Sequence, residues 1–266
     1  VSVILNDREI IKGDLTKLSE KAPKHEGVKR RSGHLAFCGH GDKVSYRKLS
    51  IAELPPLANV DGVRAAGFTP LSGERDLKDW KLEPGSEGHW TTTNGIIKYD
   101  GHSTAKEKNL WSRKSYRDLT LVFDWRWAGK GPMAKRPVLG SDGNETGETL
   151  EVEELDSGVY LRGSSKSQVN LWNWPAGSGE IYGYRTDKKQ PAEVRAGVTP
   201  KKKADRPLGE WNRTMITLKG DRLSVLLNGE TVIDKAQLPG IPEEGPIAFQ
   251  HHGHAIDFAN VWIKED

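Results

Sequence analysis

The groups in this chain able to do chemistry fall in short stretches with a period of two. In LTLVFDWRW, Asp124 and Arg126 alternate with Leu119, Leu121, Phe123, Trp125 and Trp127. That spacing puts both charges on one face of a strand, about 7 Å apart. In GVYLRG, Tyr160 and Arg162 alternate with Val159 and Leu161, and in QVNLW the side chains of Gln168, Asn170 and Trp172 alternate with Val169 and Leu171. If these strands are neighbours, the three faces line one cleft. Charges would move protons there, amides would bind hydroxyls, and flat rings would stack on the apolar faces of sugars. A solvated outer sheet face has the same pattern, with arginines paired to carboxylates.

Two further clusters carry titratable groups. Gln250-His251-His252-Gly253-His254 follows the apolar run GPIAF, and alternation puts His252 on the same side as Gln250. Imidazoles this close can bind a divalent metal, act as a base or decorate a loop, with His252 and His254 as the metal candidates. In GETLEVEELDSG, Glu151 and Glu153 share one strand face and Glu154 and Asp156 the other. A solvated edge is the competing reading of that run. The groups nominated for chemistry are thus Asp124, Arg126, Arg162, His252 and Glu153. Those nominated for binding are Tyr160, Gln168, Asn170, Trp172 and Gln250.

The elements that must hold these groups read as strands. Leu223, Val225 and Leu227 lead into Asn228-Gly229, the favoured type I′ turn, and Thr231 to Ile233 return. From Gly67 onward no segment keeps a helical period for longer than about two turns, which predicts an all-β, two-sheet antiparallel sandwich or jelly roll. The 266 residues carry 40 lysines and arginines against 37 acidic residues. So balanced a charge argues against a nucleic-acid partner. No apolar run approaches the ~18 residues of a membrane span, and VSVILNDREII has neither the basic start nor the cleavage site of a signal peptide. Nine tryptophans suit either core packing or a sugar cleft, and the single Cys38 excludes an intrachain disulfide.

The sequence also repeats. VSVILNDREII matches LSVLLNGETVI from Leu223, and GHLAFCGHGDKVSYRKLSI from Gly33 matches GPIAFQHHGHAIDFANVWI from Gly245. His40 falls on His252, the only histidine of the later cluster that recurs. Residues 1–54 therefore read as the C-terminal remnant of a first repeat, and 55–66, with Pro55-Pro56, as a linker. Residues 67–266 form the complete domain. The extra N-terminal strands are expected to pack on that domain, or to pair with a missing upstream repeat or another chain.

Residues 67 to 266 resemble the 3-keto-disaccharide hydrolase family. The resemblance rests on GFTPLSGERDLKDWK, NLWSRKSYRDLTLVFDWRW, DSGVYLRG, GEIYGY, GEWNRTMITLKGDRLSVLLNG and GPIAFQHHGHAIDFANVWIKE, which occur in the family's order. It implies a concanavalin A-like jelly roll, a periplasmic or secreted location, and a glycoside or oligosaccharide substrate already oxidised at C3. A C3 ketone acidifies the C2 proton, so a base can remove it and the aglycone can leave C1, with water added afterwards. The resemblance implies Arg162 or Arg126, with or without a divalent ion, at the enolate oxygen. It gives proton transfer to His252 or a nearby carboxylate, and the sugar face to Trp172 and Tyr160. One departure stands out: Gln168 occupies the place where many relatives carry a glutamate, and an amide cannot take a proton. Two alternatives follow, a noncatalytic carbohydrate-binding module and a conventional glycosidase. The latter needs two carboxylates about 5–10 Å apart, for which Asp124 with Glu153 or Asp156 is the available pair.

Overall fold

The computed structural model describes residues 2–6, 8–13, 36–39, 41–46, 66–71 and 76–265. The expected linker up to residue 65, His40 and Ile51 lie outside the described residues. The chain divides into two compact units, Val1–Ala52 and Glu53–Asp266.

In the first unit, β1 (Ser2–Leu5) and β2 (Arg8–Lys12) form an antiparallel hairpin. In the second, the corresponding hairpin is β14 (Arg222–Leu227) with β15 (Glu230–Gln237). Leu5 faces Arg8 as Leu227 faces Glu230, and the register slips between Val3 and Ile4 as it does between Val225 and Leu226. Asn6 and Asn228 hold φ of 48° and 54°. The sequence match thus extends to the turn and to the bulge.

The second unit is an all-β sandwich of the jelly-roll class. Its strands run β3 (Thr69–Pro70), β4 (Trp80–Lys81), β5 (Trp90–Thr93), β6 (Ile96–Tyr99), β7 (Leu110–Tyr116) and β8 (Leu119–Trp127), then β9 (Met133–Leu139), β10 (Glu145–Glu153), β11 (Asp156–Leu161) and β12 (Ser164–Trp172). Two short helices follow, α1 (Tyr182–Arg185) and α2 (Ala192–Gly197). β13 (Asn212–Lys219), the β14–β15 hairpin, β16 (Gly245–Phe249) and β17 (Ile256–Glu265) complete it. One sheet has the order β12-β11-β16-β7-β4. The other runs β15-β14-β13-β8-β17-β6-β5, with β3 added on β17.

Alternation decides which side chains fill the space between the sheets. Leu119, Leu121, Phe123, Trp125 and Trp127 of β8 are buried against Val159, Leu161, Val169 and Leu171 of the β11–β12 hairpin in a single core. Phe249 of one sheet stacks on Phe258 of the other at 3.8 Å between ring centroids. The residues between these apolar positions therefore point away from the core, on opposite outer sides of the sandwich for the two sheets. Four tryptophans join this core, Trp80, Trp90, Trp125 and Trp127, while Trp172 and Trp262 are buried without belonging to it.

Candidate active site

On the outer side of the smaller sheet, β11, β12 and the loop after β16 surround a cavity of about 320 Å³. Five nominated residues meet there: Gln168, Asn170, Trp172, Gln250 and His252, together with Asp156 at the start of β11. Cross-strand register explains the meeting. Asp156 lies opposite Trp172 and Gly158 opposite Asn170, while Val159 pairs with Phe249 on the other side of β11. Gly158 has a local purpose, because a Cβ there would run into the amide of Gln168. With that space open, Gln168 Nε2 donates to Gln250 Oε1 at 2.6 Å, and Gln250 Nε2 donates to the Tyr160 hydroxyl at 2.9 Å. Tyr160 sits behind this chain, stacked on Trp111 at 5.7 Å.

The Asp156 carboxylate is the most perturbed group in the cleft. Its side chain is 14% exposed, and the nearest basic atom is His252 Nε2, 3.7 Å from Oδ2. Burial pushes its pKa up to about 7, and His254 and Arg136 oppose that rise. Burial also moves the His252 imidazole below its ordinary value. A carboxyl pushed up toward neutrality beside an imidazole pushed down is suited to both accepting and returning a proton. His254 sits against the backbone of the same residue, its Nδ1 accepting from Asp156 N–H at 3.2 Å.

Residues not among the nominated site groups complete the walls: Arg136 and Glu154, which are ion-paired, Trp174 and Tyr182. Arg136 arrives on the β9–β10 hairpin and lies over the Trp174 ring at 4.7 Å. Nothing in local sequence announces it, because only the fold of that hairpin carries it to the cleft. Glu154 and Trp174 had signals, the first in sharing the face of Asp156 and the second in its spacing from Trp172. Trp172 itself is a buried support: its ring stacks on Trp174 at 4.1 Å and its Nε1 donates to Gly177 O at 2.6 Å. The aromatic surface open to a ligand is Tyr182, 46% exposed.

Four expectations are corrected. Asp124 and Arg126 lie on the outer side of the larger sheet, away from Tyr160 and Gln168. There cross-strand register puts Asp124 opposite Arg213 and Arg126 opposite Asp257. Asp124 accepts two bonds from Arg213, at 2.7 and 2.8 Å, and a third from Asn260 at 2.6 Å. This placement removes the two-carboxylate pairing of Asp124 with Glu153 or Asp156. Arg162 belongs to the two-residue turn between β11 and β12, with φ of 49°, about 20 Å along the strand from Asp156. Its guanidinium donates to Arg117 O, Gly220 O, Pro242 O and Asp118, so it fastens loops at the far end. Glu153 accepts from Gly131 N–H at 2.9 Å and does not line the cleft.

The histidines divide in the same way. His251 bonds the Tyr99 hydroxyl, while His252 and His254 stack 6.1 Å apart. Among the described residues no group of three or more His, Cys, Asp or Glu side chains is placed to hold a metal ion. A larger cavity, about 610 Å³, lies elsewhere, beside Arg126 and Asp257. Four of its charged groups are matched, Arg126 with Asp257 at 3.0 Å and His89 with Asp100 at 2.9 Å, and Lys98 also lines it. The smaller cleft holds the perturbed carboxylate and is the better chemical candidate.

Sandwich and cleft together define a jelly-roll β-protein with a polar, aromatic-walled cleft on its smaller sheet. The chain belongs to the 3-keto-alpha-glucoside-1,2-lyase-like domain family, whose pattern matches residues 67–264. Among solved structures it is similar to a proposed glycosyl hydrolase from Parabacteroides distasonis ATCC 8503, with 20% identity, a TM-score of 0.51, and coverage of 79% of this chain and 98% of that one. A second such protein from the same organism has 19% identity and a TM-score of 0.49, covering 87% and 100%. The carbohydrate binding module CBM66 from Bacillus subtilis has 16% identity and a TM-score of 0.36, covering 75% and 96%. No curated protein matches the chain significantly. Among the described residues no helix is long and apolar enough to cross a membrane.

Proposed function

We propose that the domain of residues 67–266 cleaves 3-keto-glycosides by elimination, with Asp156 as the proton-transfer group. The observation that carries this reading is the Asp156 carboxyl, lifted by burial to about 7 and facing His252 across the cleft. Ionised Asp156 takes the C2 proton, and the electron pair of that bond passes into the C2–C3 enolate. The enolate then collapses to restore the C3 ketone and form the C1–C2 double bond. The C1–O bond breaks, and its oxygen leaves with the proton returned by Asp156. Water adds afterwards across the double bond and gives the free 3-keto sugar. Arg136 supplies positive charge on the cleft wall for the enolate oxygen. Gln168 and Asn170 offer amides to hydroxyls, His252 steadies the carboxyl, and Tyr182 offers its ring to the sugar face.

The family allows for a divalent ion, but the cleft lacks the clustered ligands such an ion needs, and no step above depends on one. A nitrophenyl 3-keto-glucoside should release nitrophenol, with a rate inflection near pH 7, while the unoxidised glucoside stays intact. No release from any keto-glycoside, with or without added divalent metal, removes the reading.

One observation favours a second reading, a module that binds saccharide without turnover. Gln168 stands where relatives carry a glutamate, and its amide is engaged with Gln250. Saturable glycan binding that persists in Asp156→Asn and His252→Gln, with no aglycone released by the wild type, would establish it.

A further inference from the structure

Helix α1 separates the cleft from a second cavity. Tyr182 lines the cleft, and Arg185, three residues on, lines a space of about 370 Å³. The Arg185 guanidinium carbon lies 5.3 Å from the Tyr182 ring centroid, so the two spaces are separated by little more than one side chain.

The second cavity is closed by the 140–144 loop at the tip of the β9–β10 hairpin. Arg195 Nη1 of α2 donates to Asn144 Oδ1 at 2.9 Å, and Arg185 Nη1 donates to Gly143 O at 3.4 Å. Gly143 has φ of +78°, and a Cβ there would lie 2.6 Å from the Thr199 hydroxyl and 2.9 Å from Arg195 O. The loop can seat itself on α2 only because that residue is glycine. Exposed Asp142 serves the loop, accepting from Asn144 N–H at 3.0 Å and from the Asn144 amide at 2.7 Å, and its charge also acts on Arg195.

Three cationic side chains, Arg185, Lys188 and Arg195, face this space, against the single carboxylate of Glu145. Buried Glu180 takes Arg185 Nε. Other donors remain over: Arg195 Nε is buried with no hydrogen-bond partner, and Lys188 has no protein partner among the described residues. Guanidinium groups with spare N–H bonds, joined by an ammonium, are suited to an oxyanion, which can accept from several donors at once.

We propose that this cavity binds the oxyanion substituent, a sulfate ester or a carboxylate, of an acidic saccharide whose neighbouring ring occupies the cleft. The inference rests on the reading of the cleft as a saccharide site, but its first test does not. Sodium sulfate titrated into the full chain at constant ionic strength and followed by calorimetry should bind saturably. The affinity should fall about tenfold in Lys188→Glu, and also in Arg195→Gln. Lys188 is exposed and unpartnered, so its variant should fold and should turn over neutral 3-keto-glucoside as the wild type does. No saturable sulfate binding, or equal affinity in wild type and both variants, overturns the anion site.

The second test compares glucose 6-sulfate, glucuronate and glucose. At least one acidic sugar should bind about tenfold more tightly than glucose and lose that advantage in Lys188→Glu; which of the two gains more separates sulfate ester from carboxylate. Sulfate binding without any preference for an acidic sugar overturns the assignment to saccharides. Failure of keto-glycoside turnover would count against the proposed reaction and leaves both binding measurements intact.

Discussion

The outer sides of the two sheets carry similar residues and treat them in opposite ways. On the larger sheet, Asp124 is 2% exposed and satisfied by Arg213 and Asn260, and Asp257 is satisfied by Arg126. On the smaller sheet, Asp156 is less deeply buried, its side chain 14% exposed, yet it receives no hydrogen bond to its carboxylate from the described residues, only His252 at 3.7 Å. A buried carboxylate whose oxygens accept from a guanidinium is costly to strip of its partner. One that loses water without gaining donors has its proton affinity raised. The difference separates structural charge from chemical charge.

Four variants would break or sharpen that contrast. The largest effect is expected from Asp156→Asn, which should lower aglycone release about a thousandfold and abolish the inflection near pH 7. The same variant should be the more stable one in alkali. The carboxyl's folded pKa, about 7, lies above its unfolded value near 3.9, so the wild type loses stability as pH rises from about 4 through 7. A thermal melt at pH 8 should place Asp156→Asn above wild type, and at pH 4 the gap should close. A variant that is less stable at both pH values would contradict the burial argument.

Arg162→Met should come next, at about 3 kcal/mol of stability, since it strands three carbonyls and Asp118 at once. Its kcat on 3-keto-glucoside should be unchanged once folded, measured alongside a denaturant midpoint. Asp124→Asn should cost about 2 kcal/mol, less than a fully buried pair, because the Arg213 side chain is 47% exposed. It too should leave kcat alone, and a hundredfold loss of turnover would return the larger sheet to the catalytic account. The smallest effect is expected for His252→Gln, about tenfold in kcat with the pH inflection retained. Disappearance of that inflection would assign it to the histidine instead of Asp156.

The two copies of the NG-type hairpin teach a related lesson. β1–β2 and β14–β15 share turn, register and bulge, yet Val3, Leu5, Ile10 and Ile11 are each 38% exposed or more, while their counterparts Val225, Leu227, Val232 and Ile233 are each 1% exposed or less. Local sequence is sufficient to specify the hairpin, because turn chemistry and pairing act over a few residues. Burial depends on the rest of a sandwich.

The same division runs through the whole molecule. Sequence by itself determined the strand pattern, the Asn228-Gly229 turn, the inward face of every strand considered and the family, because alternation and turn residues are local properties. It also nominated Gln168, Asn170, Trp172, Gln250 and His252, which do meet. Only the tertiary structure decided that β8 belongs to the opposite sheet from β11 and β12, since alternation names a face without naming the sheet. It alone turned Arg162 out of its strand and brought Arg136 from a distant hairpin. It also left Asp156, one of five carboxylates in GETLEVEELDSG, with no hydrogen bond to its carboxylate among the described residues, and the proposed chemistry depends on that.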